Sequence, residues 1–279
     1  MNWKTKAALQ KLISRLPAAE TINYFLQTRI TRNLPMSDEV FGQKVKAAQQ
    51  HLEAFKGHHD YLEEGIVYEF GGGYDLAVPL LLHKAGIKQQ LVTDIKPLLK
   101  PSLVADAAKR AGLSGVVDLA ALGISYEAPF DARKTNLGAA GVTYIHSTDT
   151  LEHIPAEDIL LILRECYRIL KPGGVISCMI DLQDHYAYFD KNLSRFNFYR
   201  YSEMEWKKKY NNKLQYQNRL LADDYYKLFA LAGFAPIQME VEKGEEQELR
   251  TVKLTERFAS KSASELLNLR CHIISEKPD

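Results

Sequence analysis

The stretch Val67-Tyr68-Glu69-Phe70-Gly71-Gly72-Gly73-Tyr74-Asp75 constrains this chain more than any other. A short run of β-branched and aromatic residues from Ile66 to Phe70 stops at three glycines, and an apolar helical pattern follows from Leu76 to Ala85. Leu91-Val92-Thr93-Asp94-Ile95 then reads as a second strand of the buried, parallel kind. Strand, glycine turn, helix and strand in that order call for a parallel sheet with right-handed crossovers and helices on both faces. The rhythm continues with strands at Val142–His146 and Val175–Ile180. Between them a helix runs from about Glu157 to Leu170, stopped by Lys171-Pro172-Gly173-Gly174. The fold class is α/β, and in such sheets ligands bind beyond the carboxyl ends of the strands.

The remaining residues divide around that core. Residues 1–60 read as a helical prefix: Pro17 and Asn33-Leu34-Pro35 separate two short helices, and a third starts at Ser37-Asp38-Glu39 and runs to about Lys56. Residues 61–180 form the core. Residues 181–225, rich in Tyr, Phe, Asn, His and Asp, break the rhythm and read as a lid. Residues 226–279 complete the sheet, with a helix begun at Asp223, a strand at Phe234–Val241, a charged Glu/Lys/Gly turn region and a strand near Arg270–Ser275. In the first helix Leu9, Leu12, Ile13 and Leu16 fall at helical spacing, with Lys4, Lys6, Lys11 and Arg15 elsewhere on the wheel. A helix packed on the domain with a solvated basic side is the expectation; weak peripheral contact with an anionic membrane is its alternative.

Lys plus Arg number 36 against 35 Asp plus Glu, so the net charge of +1 points to no nucleic-acid partner. Hydrophobic residues at 46% and charged residues at 25% exclude a disordered chain. No apolar run approaches the roughly 18 residues of a membrane span, and the first residues lack a secretory apolar stretch. Cys166, Cys178 and Cys271 lack metal-type spacing and are an odd set, which suits a reducing, cytoplasmic setting without disulfides.

Three acids narrow the ligand. A dinucleotide fingerprint would place a third glycine where Leu76 stands, and Glu69 sits two residues before the first glycine, where it would repel a pyrophosphate. Asp94 is placed to accept from both hydroxyls of a ribose, and Asp131, after the third strand, from an adenine amino group. A nucleoside with a cationic, non-phosphorylated tail fits all three, which describes S-adenosylmethionine.

On these residues the chain resembles the class I S-adenosylmethionine-dependent methyltransferases. Glu69, Gly71 and Gly73 match the family's first motif, although Asp75 replaces its usual third glycine. Asp94 matches the ribose acid and Asp131 the acid after the third strand. Asp149-Thr150-Leu151-Glu152-His153-Ile154-Pro155 and the segment Leu163–Val175 are similar to the type 11 subgroup, and Asp181–Trp206 looks like a bacterial subgroup of poorly defined substrate. The resemblance implies a Rossmann-like, mostly parallel seven-stranded sheet and an enzyme moving a methyl group to a small-molecule or glycan acceptor, at oxygen rather than nitrogen. Its alternative is a non-catalytic domain that holds the cofactor as a structural ligand or serves as a scaffold; a nicotinamide oxidoreductase is more distant.

Methyl transfer needs alignment, and a base only when the acceptor must lose a proton. His185, just after the fifth strand beside Asp181 and Asp184, is the candidate base, with His153 as a second candidate. Tyr186, Tyr188 and Tyr199 are candidates for an aromatic acceptor wall, and Asn218 and Arg219 for polar acceptor contacts. No metal is expected, because the spacing of Asp181, Asp184, His185 and Asp190 alone is a weak ligand pattern.

Overall fold

The computed structural model describes residues 2–56, 65–113, 115 and 117–278. The expected end of the prefix at residue 60 lies outside them. The prefix holds α1 (Trp3–Ile13), α2 (Ala19–Phe25), which runs into a π-helical turn at Leu26–Ile30, and α3 (Asp38–Lys56). The core follows as β1 (Ile66–Phe70), α4 (Ala77–Lys84), β2 (Gln89–Thr93), α5 (Pro101–Arg110), β3 (Ile124–Glu127), β4 (Val142–Thr148), α6 (Ala156–Ile169) and β5 (Leu170–Asp181). The lid holds α7 (Tyr186–Phe189) and α8 (Glu203–Lys209). After it come α9 (Ala222–Ala232), β6 (Ile237–Lys243), α10 (Glu246–Arg250), α11 (Glu256–Ala259), α12 (Ala263–Leu266) and β7 (Asn268–Glu276).

The seven strands form one sheet in the order β3-β2-β1-β4-β5-β7-β6, with β7 antiparallel to both neighbours and the rest parallel. Strand order reverses between β1 and β4, so a crevice opens there at the carboxyl edge. The interior strands are apolar on both faces because helices cover both: Tyr68, Phe70 and Ile145 face one core with α6 and α9, while Val67 and Tyr144 face another with α3 and α4. Ile159, Ile162, Leu163, Cys166 and Ile169 recur at helical spacing and give α6 its buried side. Gly233, at φ +105°, ends α9 in the left-handed conformation that favours glycine.

Four departures from the sequence expectations have local causes. The ladder between β1 and β2 ends at Phe70 opposite Thr93, so Asp94 stands just past the strand. Lys171-Pro172-Gly173-Gly174 stops α6, yet Leu170 already pairs with Val142, and a register shift bulges the intervening residues before Val175 joins Tyr144. The charged region after β6 is not all turn: α10, α11 and α12 pack Leu249, Phe258 and Leu266 into the lid's own core. Finally, α1 docks through Trp3, Ala7 and Ile13, leaving Leu9, Leu12 and Leu16 exposed, the reverse of the expected packing.

Candidate active site

The carboxyl ends of β1 to β4 border a cavity of about 590 Å³, within the usual size of a small-ligand site. The sheet order fixes its long direction. Phe130, Asp131 and Ala132 follow β3 at one end, Asp94 follows β2, Gly71 and Gly73 follow β1, and Thr150 and His153 follow β4 at the other end. The prefix closes one side through Glu20, Asn23 and Gln27, and Lys213, Leu214 and Tyr216 close another from the lid.

The glycine turn is built for close approach. Gly71 has φ +83°, and a Cβ there would lie 2.4 Å from the Thr150 side chain; Gly73 has φ +69° and opens to free space. The Gly73 N–H donates to Asp94 Oδ2 at 3.1 Å and the Lys96 N–H to Asp94 Oδ1 at 3.0 Å, which fixes the carboxylate at the cavity wall. Burial nevertheless pushes the Asp94 carboxyl above its usual range.

Glu69 is 4% exposed and lies beneath the turn rather than in the cavity wall. Burial raises its carboxyl to about 8, Lys44 partly offsets this, and Asp75 and Asp94 add to it. Its Oε2 has no hydrogen-bond partner among the described residues. A neutral acid with an orphaned oxygen suits a ligand that brings positive charge. Asp131 borders the cavity, but its two oxygens accept from Arg133 at 2.9 and 2.8 Å, and those bonds hold it below the usual carboxylate range.

At the far end β4 and β5 bring His153, His185 and Asp181 together. The rings of His153 and His185 lie 4.9 Å apart, and His185 Nε2 faces Asp181 Oδ2 at 3.3 Å. The Tyr188 hydroxyl donates to the same Asp181 oxygen at 2.7 Å. Burial alone would raise the Asp181 carboxyl, but His185, then Arg270 and Tyr188, hold it down to about 2. His153 donates from Nδ1 to the Tyr216 carbonyl at 2.7 Å, and burial lowers its pKa to about 4, so it stands neutral with Nε2 as acceptor.

Four expected acceptor contacts are turned away from the cavity. The Tyr186 hydroxyl donates to the Tyr210 carbonyl at 2.9 Å, and the Tyr199 hydroxyl to the Leu266 carbonyl at 3.2 Å; both rings belong to the lid's core. Arg219, 2% exposed, donates to the carbonyls of Phe198 and Tyr201 at 2.9 and 2.7 Å and to Glu203 at 2.5 Å. Asn218 donates from Nδ2 to the carbonyls of Leu151 and Ile154 at 2.8 Å each, pinning the turn that carries His153. Asp184, expected beside the base, is buried and accepts from Asn197 at 2.7 Å.

Asp149 and Glu152 fall in the segment similar to the type 11 subgroup, but the contacts that place them carry no local sequence signal. Asp149, at φ +52°, accepts from Lys44 at 3.4 Å and from Arg270, so α3 and β7 both anchor the turn after β4. Glu152 is buried, with neither carboxylate oxygen hydrogen-bonded among the described residues, and burial holds its carboxyl far above the usual range. Glu152, His153 and His185 offer ligand atoms within 4.8 Å of one another, a grouping that could hold a metal and that sequence spacing does not reveal.

Residues 69–178 match the family described as a methyltransferase domain. No curated protein matches the sequence. Among solved structures the fold is similar to the CurJ carbon methyltransferase, with a TM-score of 0.56 at 12% identity over 93% of this chain and 61% of that one. It is also similar to Haemonchus contortus phosphoethanolamine N-methyltransferase 2, solved with phosphomonomethylethanolamine and S-adenosylhomocysteine, with a TM-score of 0.51 at 14% identity over 97% of this chain and 61% of that one. The chain thus spans about three fifths of the length of both. The [4+2]-cyclase SpnF shares the fold too, with a TM-score of 0.51 at 13% identity over 84% of this chain and 80% of that one, so the fold does not by itself prescribe the reaction. The glycine turn, the sheet order and the match over residues 69–178 together make this segment similar to the methyltransferase domains.

Proposed function

We propose that this protein transfers a methyl group from S-adenosylmethionine to a hydroxyl of a small-molecule or saccharide acceptor. The observation that carries the reading is the Asp181–His185 pair at the carboxyl end of β5, beside His153, which itself lines the cavity. The cofactor supplies an electrophilic methyl on a sulfonium. Gly71 and Gly73 admit its tail, Asp94 holds the ribose hydroxyls, and Phe130 to Ala132 border the adenine, with Asp131 as a weaker contact because Arg133 occupies it. Glu69 lends negative charge from below once a nearby cation favours its carboxylate and its proton passes to solvent.

His185 takes the acceptor's proton. Its Nε2 lies 3.3 Å from Asp181 Oδ2, and the Asp181 carboxylate stabilises the imidazolium that forms through its charge. His153, neutral and open to the cavity, orients the acceptor as a hydrogen-bond acceptor. Of the expected aromatic wall Tyr188 is half exposed and bonded to Asp181, outside the cavity lining.

Buried, unpaired cysteines support a reducing, cytoplasmic setting, and the near-neutral charge gives no reason for a nucleic-acid acceptor. No helix among the described residues is long and apolar enough to cross a membrane. The test is His185→Ala assayed on a panel of hydroxylated acceptors. Turnover is expected to fall on the order of 100-fold or more with unchanged S-adenosylhomocysteine affinity; undiminished turnover would remove His185 from the chemistry.

A further inference from the structure

Among the described residues the outward face of α1 has no partner, and its composition says what covers it. Trp3, Ala7 and Ile13 point into the protein, while Leu9, Leu12 and Leu16 form a second apolar stripe on the opposite side, with Leu12 62% exposed. At 100° per residue Lys4 and Lys11 fall along one flank of that stripe, and Arg15 and Leu16 follow in the turn after α1. Further along the prefix Phe25 and Ile30, 57% and 65% exposed, stand close in sequence to the exposed Arg29 and Arg32. Five large apolar side chains are thus presented to solvent within the first thirty residues.

The charge is as uneven as the hydrophobicity. Residues 2–35 hold six basic residues, Lys4, Lys6, Lys11, Arg15, Arg29 and Arg32, against the single acid Glu20, although the whole chain carries only +1. The remaining residues are therefore net acidic. The basic field extends sideways, because Lys11 bonds the Lys208 carbonyl of α8 and so sets the exposed Lys207 and Lys208 beside α1. An apolar stripe flanked by lysines and arginines, on an otherwise acidic protein, is complementary to a surface with an apolar interior and anionic headgroups.

We propose that α1 and α2 form a docking surface for anionic lipid bilayers. The outward leucines enter the headgroup boundary and the flanking cations pair with lipid phosphates. The same prefix walls the cavity: Glu20, Asn23 and Gln27 line it, and Glu20 pairs with Lys96, the second residue after Asp94, at 2.5 Å. Seating the prefix therefore sets one side of the cavity at the bilayer surface, where a membrane-borne acceptor would enter. Lipid binding is read without methyl transfer, so its failure and that of the proposed reaction are separable.

The experiment is flotation of the full chain with vesicles of phosphatidylcholine alone or mixed with phosphatidylglycerol. Wild type is expected to float with the mixed vesicles and stay behind with the neutral ones, and to be released by about 0.5 M salt, where screening is nearly complete within a few ångströms. Leu12→Glu on the exposed stripe and Arg15→Glu in the turn after α1 should each reduce the bound fraction about five-fold or more, with S-adenosylhomocysteine affinity retained as the check that the domain is folded. Equal flotation with both vesicle types, absence of flotation with either, or retention of binding in both variants would overturn the proposal. So would concentration-dependent dimerisation abolished by Leu12→Glu without vesicle binding, which would assign the stripe to a second copy of the chain.

Discussion

Backbone shape and one buried proton decide most of the chemistry at the residue scale. Gly71 combines a left-handed φ with a position where a Cβ would strike Thr150, so Gly71→Ala meets strain and a clash at once. The expected result is a loss of S-adenosylhomocysteine affinity of about ten-fold or more, measured by titration calorimetry. Glu69 makes a prediction of opposite character. Its folded carboxyl titrates near 8 against an ordinary 4.5, so between those values the folded state holds a proton that the unfolded chain has lost. Stability then falls as pH rises through that window, by up to about 1.4 kcal/mol per unit. Melting curves from about pH 5 to about pH 8 should therefore show Glu69→Gln gaining on wild type; a constant difference would mean Glu69 is ionised throughout. The placement of Gly71, Gly73 and Asp94 at the cavity edge was legible in the sequence because a turn and the end of a strand fix them locally. Tyr186, Tyr199 and Arg219 were misread because aromatic and cationic residues serve a binding wall and a packed core equally well, and only tertiary packing decides between them.

Elements show the same division between local and distant causes. β1, α4, α6 and β5 follow from periodicity and stop signals, whereas α10, α11 and α12 are too short for a repeating apolar pattern and exist because the lid's core receives Leu249, Phe258 and Leu266. Trp3 is the largest side chain that ties the prefix to that core. Trp3 of α1 packs on Tyr186 at 5.3 Å and Tyr210 at 4.9 Å between ring centroids, so the first helix and the lid brace each other. Trp3→Ala should cost about 3 kcal/mol or more, read as a lower midpoint in a thermal or denaturant melt. An unchanged melt would mean that α1 is not docked through Trp3.

Across the whole molecule, one edge of one sheet collects the cavity, the glycine turn and the histidine pair, while the prefix and the lid border that edge from two sides. Net charge near zero conceals a basic prefix on an acidic remainder, and the acids nearest the glycine turn, Glu69, Asp75 and Asp94, are all pushed towards neutrality by burial. A cationic ligand would relieve all three at once, which is why a chain of this composition suits a sulfonium better than a phosphate. The central claim is that the edge cavity binds S-adenosylmethionine with Asp94 on its ribose. Titration of wild type and Asp94→Ala with S-adenosylhomocysteine tests it most directly. The account predicts saturable binding by wild type, weakened several-fold or more by the substitution; no binding by wild type, or equal affinity in both, would contradict it.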